Sequence, residues 1–223
     1  MGYTHYWDYR NPVVEMTQNT LKKRAIKDQY RGDWDRIYQE WDKLPTDESY
    51  IKRMKKHMDG FAKIAEDIKK AMANLPAHST TAGGYCSEYP IVIKGGLGEG
   101  EPEINENRVW FNGDCSQDLN HETFVIKLFT SDTFQLFAEI EEKGTFFGSC
   151  KTARKPYDFL VCVSLMVFKH HLGADFKVSS DGGLSDWQPA IDFYEKLFKR
   201  KAPKQLMNYF TKEETSININ NIN

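Results

Sequence analysis

Four cysteines, Cys86, Cys115, Cys150 and Cys162, form no Cys-x-x-Cys pair, and their wide, irregular spacing excludes a disulfide framework and a zinc ribbon. A charge of one sign is also missing: 30 Lys+Arg stand against 32 Asp+Glu, a formal net charge of −2. No overall field therefore calls for nucleic acid or an anionic membrane. Long apolar runs are absent. The longest, Phe159 to Phe168, is about half of what a bilayer requires, and Ser164 interrupts it. Met1 to Arg10 is aromatic and polar rather than a basic segment followed by an apolar one, so it does not read as a secretory leader. Together these absences predict a cytoplasmic protein with reduced thiols, without cofactor, bound metal, nucleic acid or membrane.

What the chain does have is aromatic mass. Its 14 Phe, 11 Tyr and 5 Trp, within a 40% hydrophobic composition, suffice for a sizeable core. Gly2 to Trp7 alternates, with Tyr3, His5 and Trp7 on one face and Thr4 and Tyr6 on the other, and reads as an opening strand. Val13 to Leu44 has helical spacing in Trp34, Ile37, Tyr38, Trp41 and Leu44, with Gly32-Asp33 separating two pieces. Thr46 caps the clearest helix. Its inward stripe runs through Ile51, Met54, Met58, Phe61, Ala65, Ile68, Met72 and Leu75 to Pro76, with lysines on the opposite face. Such a stripe suits packing on a sheet, or a homodimer through residues 47–75.

Ala77 to Tyr89 reads as a loop, and Ile91–Ile93, Arg108–Phe111 and Thr123–Leu128 as strands. Turns without helices separate those strands, which favours antiparallel pairing. A short helix is expected over Asp132–Lys143. A buried helix follows Pro156, stopped by Gly173; then come a strand over Phe176–Ser179 and a last helix from Asp186 to Lys201. The pieces predict one α+β domain over 1–212: a mostly antiparallel sheet with helices packed on it, one central buried helix, and a helical insert at about 13–44. Residues 213–223, a low-complexity Asn/Ile tail, are predicted to be disordered.

Several separated motifs then line up. Met1-Gly2-Tyr3-Thr4-His5-Tyr6-Trp7 opens the chain, Phe111-Asn112-Gly113 and His121-Glu122-Thr123-Phe124 sit in the middle, and Cys150-Lys151-Thr152-Ala153-Arg154-Lys155-Pro156-Tyr157-Asp158 and Ser179-Ser180-Asp181-Gly182 with Trp187 complete the set. Together they resemble a family of small proteins scattered among bacteria, viruses and some microbial eukaryotes, to which no biochemical activity is attached. The resemblance covers Met1 to about Tyr9 and roughly Ile91 to Phe198. It implies a single fold and a shared site, and it is silent on the 13–44 insert.

The chemistry points first to the cationic approach to the buried helix. Lys151, Arg154 and Lys155 would sit at the positive end of a helix dipole, where each cation is disfavoured by roughly 0.3–1 kcal/mol. A counter-anion is required there, either a ligand phosphate or carboxylate or the chain's own Asp158, Glu122 or Asp181. Cys150 is a candidate nucleophile if a base such as His121 or His5 assists it, or else a small residue turning the chain. His121, Glu122 and Asp181 are the candidate acid–base groups. Asn112, Thr152 and Tyr157, with His5, complete a ligand-binding set. Gly96 to Gly100 fits a hairpin turn better than a phosphate loop, since no helix follows it and Glu99 would repel phosphate. His170-His171 suits a helix C-terminus.

Three functions stand at this point. The first is binding of a small phosphorylated or nucleotide-like anion at 150–158. The second is a structural or protein-interaction module with no small-molecule ligand. The third is a phosphodiester-type hydrolase using His121. Turnover is not demanded by any of the motifs.

Overall fold

Alternation of buried and exposed side chains is what a strand with one covered face needs, and β1 (Thr4–Tyr9) follows it. His5, Trp7 and Tyr9 are buried, while Thr4, Tyr6 and Asp8 are partly open. The computed structural model describes residues 3–10, 12–78, 89–128, 145–204 and 206. Within it β1 is the central strand of a three-stranded antiparallel sheet, flanked by β5 (Phe146–Lys151) and β6 (Phe176–Ser180). The register sets His5 opposite Cys150 on one side and Ser180 on the other. Directly opposed residues share a face, so these three side chains point into the same core.

A second three-stranded antiparallel sheet is built from β2 (Glu103–Ile104), β3 (Arg108–Phe111) and β4 (Phe124–Lys127). The α+β class is as expected, with two small sheets in place of the one sheet predicted. The helices are α1 (Pro12–Gln29), α2 (Trp34–Trp41), α3 (Asp47–Met72), α4 (Asp158–Leu172) and α5 (Leu184–Phe198). The helix α4 is apolar on all sides and correspondingly buried along nearly its whole length. Aromatic contacts tie it to its neighbours: Phe168 meets Phe61 of α3 edge-on at 5.5 Å and stacks on Phe176 of β6 at 5.2 Å, and Phe159 meets Phe193 of α5 at 5.3 Å. Residues from both sheets and from α3, α4 and α5 form one continuous apolar cluster.

Several local expectations are corrected. Ile91–Ile93 is not a strand; only single bridges form beside it, Pro90 with His78 and Lys94 with Asn112. Cys150 and Lys151 close strand β5, which the sequence pattern concealed, and the helix starts at Asp158 rather than Pro156. The stripe of α3 is buried only in its C-terminal half: Phe61, Ile64, Ala65 and Ile68 are covered, whereas Ile51 is 67% and Met58 47% exposed. His170 and His171 lie in the last turn of α4, as expected, beside Lys169, which donates to the carbonyls of Gly173 at 2.8 Å and Phe176 at 2.6 Å just past the helix end. The expected loop at Ala77–Tyr89 lies largely outside the described residues, and the helix at Asp132–Lys143 and the tail at 213–223 lie wholly outside them. Among the described residues no helix is long and apolar enough to cross a membrane.

Candidate functional site

The turn between β5 and α4 is the local device that builds the site. Ala153 (φ +51°) and Arg154 (φ +59°) both take left-handed backbone, and Lys155 N–H bonds the Thr152 carbonyl at 3.0 Å. Two successive positive φ angles closed by such a bond make a type I′ reversal, normally reserved for Gly or Asn. Each non-glycine residue there costs of order 1–2 kcal/mol, so its surroundings must hold it. They do: the Thr152 and Ala153 N–H groups both donate to the Tyr3 carbonyl, at 3.0 and 3.2 Å. The Arg154 guanidinium lies 4.0 Å from the Tyr3 ring centre and donates to the Asp186 carboxylate.

The reversal drops Asp158 into the core opposite His5. His5 Nε2 lies 2.7 Å from Asp158 Oδ1, and the Thr152 hydroxyl donates to that same oxygen at 2.5 Å. One helical turn on, Cys162 Sγ is 3.7 Å from His5 Nε2 and 3.8 Å from Asp158 Oδ2. On the far side of the imidazole, Nδ1 is 3.0 Å from Ser180 Oγ. Ser180 Oγ also accepts from Gly182 N–H at 3.0 Å and Trp187 Nε1–H at 3.3 Å. Tyr3 and Trp187 meet the imidazole edge-on, at 5.0 and 5.2 Å. His5, Asp158, Cys162, Thr152 and Ser180 are all buried. Removing one partner from a buried hydrogen-bonded set of this sort costs about 1–3 kcal/mol, because the other's polar atom is left unsatisfied. Burial, reinforced by the Asp158 charge, pushes the Cys162 thiol well above its ordinary range. Close by, the buried Tyr3 hydroxyl has no hydrogen-bond partner among the described residues.

The predicted site residues divide sharply. His5 and Thr152 belong to this centre. Arg154 and Lys155 are engaged by the chain's own acids: Arg154 with Asp186, and Lys155 with Asp118 at 3.2 Å. The partners expected for them, Asp158, Glu122 and Asp181, are occupied elsewhere. Glu122 Oε2 accepts the Lys151 N–H at 2.6 Å, and Asp181 takes the Thr4 N–H at 2.9 Å and the Tyr6 hydroxyl at 3.2 Å. At the helix start the N–H groups of Asp158, Phe159, Leu160 and Val161 bond the carbonyls of Lys155, Pro156 and Tyr157, so none of them faces outward. The Asp158 carboxylate, in the first turn, supplies the negative charge that the dipole favours.

Cys150 is buried, and burial raises its thiol well out of the nucleophilic range; Sγ is 3.4 Å from the Glu122 carbonyl. Its role as a nucleophile is corrected to a packing role in β5. Tyr157 is likewise buried, its hydroxyl donating to the Glu122 carbonyl at 2.7 Å. Asn112 is a brace. Its amide donates to Gly96 and His121 carbonyls at 3.1 and 3.0 Å and accepts from the N–H groups of Gly113 and His121 at 2.8 and 3.2 Å, which leaves nothing for a ligand. His121 is exposed, and only its backbone is engaged by Asn112.

Sequence reasoning missed Ser180, Asp186 and Cys162 as site residues. One signal was present: Asp158 and Cys162 are polar or ligating groups one turn apart at the start of a mostly apolar helix. No protein-family model, curated protein or solved structure matches the chain.

Proposed function

We propose that the chain is a protein-interaction module whose docking surface is the lysine face of α3 and whose partner is an acidic protein segment. The observation that carries this is a groove of about 390 Å³ lined by Lys52, Lys55, Lys56, Asp59, Gly60, Lys63 and His171. Four ammonium groups meet one carboxylate there, and none of the four has an acid within ion-pair distance among the described residues. This contrasts with Arg154 and Lys155, which are paired internally. Ile51 and Met58, two turns apart, lie exposed on the flank of that face and add apolar contact area. Charge complementarity of this kind steers encounter and fixes register, and it weakens with salt because the Debye length is about 8 Å at physiological ionic strength.

The test is binding of the full chain to poly-glutamate, followed by fluorescence anisotropy at low and physiological salt. Lys55→Glu with Lys56→Glu is expected to weaken binding at least ~10-fold, and Lys199→Glu with Lys204→Glu, an equal change in net charge, less than ~2-fold. Equal losses from both pairs, or no binding at low salt, would refute the reading. A small phosphorylated anion at 150–158 is the second reading. It rests on Lys151, whose ammonium meets no acid among the described residues. Saturable binding of inorganic phosphate lost in Lys151→Ala would favour that reading instead.

A further inference from the structure

Outside the lysine face the most unusual chemistry in the fold is the buried set of His5, Asp158 and Cys162, whose donor atoms all lie within 4.8 Å of one another. We propose that His5 Nε2, the Asp158 carboxylate and Cys162 Sγ together bind one divalent transition-metal ion of the zinc class. The proposal is independent of the docking surface.

The geometry fits. Zinc holds nitrogen and oxygen ligands at about 2.0–2.2 Å and sulfur at about 2.3 Å, which sets neighbouring tetrahedral donors roughly 3.3–3.7 Å apart. The separation of Cys162 Sγ from His5 Nε2, 3.7 Å, meets that range, and its separation from Asp158 Oδ2, 3.8 Å, lies about 0.1 Å beyond it. The remaining contact, 2.7 Å between Nε2 and the other carboxylate oxygen, Oδ1, is a hydrogen-bond distance and opens by about half an ångström when the ion takes the place of the hydrogen on Nε2. The donors stand on rigid elements: Asp158 and Cys162 lie at i and i+4 of α4, and His5 sits in a central strand paired on both sides. A mixed N/O/S set selects zinc-like ions over magnesium or calcium.

Charge supports the assignment as well. A carboxylate, a thiolate and a neutral imidazole sum to −2, so a divalent ion leaves the buried centre neutral. Binding releases the Cys162 thiol proton to solvent and shifts the single proton of the neutral imidazole from Nε2, where it bridges to Asp158, to Nδ1. Ser180 Oγ, 3.0 Å away, takes that N–H, and the long 3.3 Å contact from Trp187 Nε1 is the one that yields. Thr152, bonded to Asp158 Oδ1, orients the carboxylate in the same way. Outer partners of this type are worth about 10–100-fold in metal affinity.

The experiment loads the purified full chain with Co(II) and separately with Zn(II). One equivalent of Co(II) should give a thiolate-to-cobalt charge-transfer band. Cys162→Ser should abolish the band, Cys115→Ser should leave it, and Ser180→Ala should weaken affinity ~10–100-fold. Zinc at about 100 times Kd should raise Tm by roughly 5–10 °C, and should do so less at low pH, where protons compete for the ligands. If wild-type protein gives no charge-transfer band, if the band survives in Cys162→Ser, or if zinc-treated and chelator-treated protein melt alike, the three groups are a hydrogen-bonded triad only and the proposal is overturned. Because the wild-type spectrum alone decides the first outcome, a variant that fails to fold does not shield the idea.

Discussion

Arg154→Ala, Asp186→Ala and the double variant form a thermodynamic cycle that separates a ligand-holding arginine from an internally committed one. In the folded chain the Arg154 guanidinium donates to Asp186, with side-chain exposures of 32% and 17%, and stacks on the Tyr3 ring at 4.0 Å. A hydrogen bond to a charged group contributes about 1.5–3 kcal/mol, and solvent screening of a pair this open trims that toward 1–2 kcal/mol. The cation–π contact adds about 0.5–1 kcal/mol. Arg154→Ala should therefore cost roughly 2–3 kcal/mol, or about 4–12 °C in Tm at 2–4 °C per kcal/mol for a chain of this size. The coupling with Asp186 should be about 1–2 kcal/mol. Arg154→Gly loses the same side chain and relieves the φ of +59°, so it should be more stable than Arg154→Ala by up to about 1 kcal/mol. Urea unfolding of the four cycle members and the glycine variant, with no ligand added, measures all of this. A coupling below about 0.3 kcal/mol with an unchanged Tm would mean that the guanidinium is uncommitted in the free protein, and the internal-network argument would fail.

Packing and pH offer two more tests. Phe61→Ala, in the covered half of α3, should cost about 3–5 kcal/mol, whereas Ile51→Ala, 67% exposed on the same helix, should stay within about 0.5 kcal/mol in the same urea assay. Comparable costs would mean that the N-terminal half of α3 is covered. Burial raises the Asp67 carboxyl, but hydrogen bonds from His171 and Arg200 outweigh it and hold the group below its ordinary value of 3.8. Its stabilising contribution is thus complete above the unfolded value near 4 and is lost as pH falls through the lower folded one. Asp67→Asn should accordingly show a shallower loss of Tm between about pH 5 and pH 2 than wild type, and parallel profiles would refute the assignment.

The α+β class, β1, β3, β4, β6 and the buried helix were legible because each carries a clean period: alternation in β1, and an apolar run with a glycine stop in α4. Strand β5, Phe146–Lys151, was not legible. Its segment contains Gly148 and Ser149, and only Cys150 within it is buried, so no alternation betrays it. The fading stripe of α3 misled for the opposite reason: Ile51 and Met58 continue the helical period yet stay largely exposed among the described residues, since periodicity reports which face is apolar and not whether anything covers it. Five separated motifs were singled out, and residues of three of them come together. His5, Thr152, Asp158, Ser180 and Trp187 come from those three and meet around one imidazole.

The charge argument at the helix start was sound in kind and wrong in its supplier. Cations at the positive end of a dipole do require anions, and the fold provides them from positions that local spacing cannot reveal: Asp186, 32 residues from Arg154, and Asp118, 37 residues from Lys155. Once those two acids are spent, the remaining imbalance moves inward. Asp158 is buried, its oxygens face an imidazole, a hydroxyl and a thiol, and among these only the imidazole can carry positive charge. A carboxylate in such a place is held by its hydrogen bonds to His5 and Thr152 or as ligand to a cation. The two states differ in whether Cys162 keeps its proton, and so they part company in any measurement that sees the thiol.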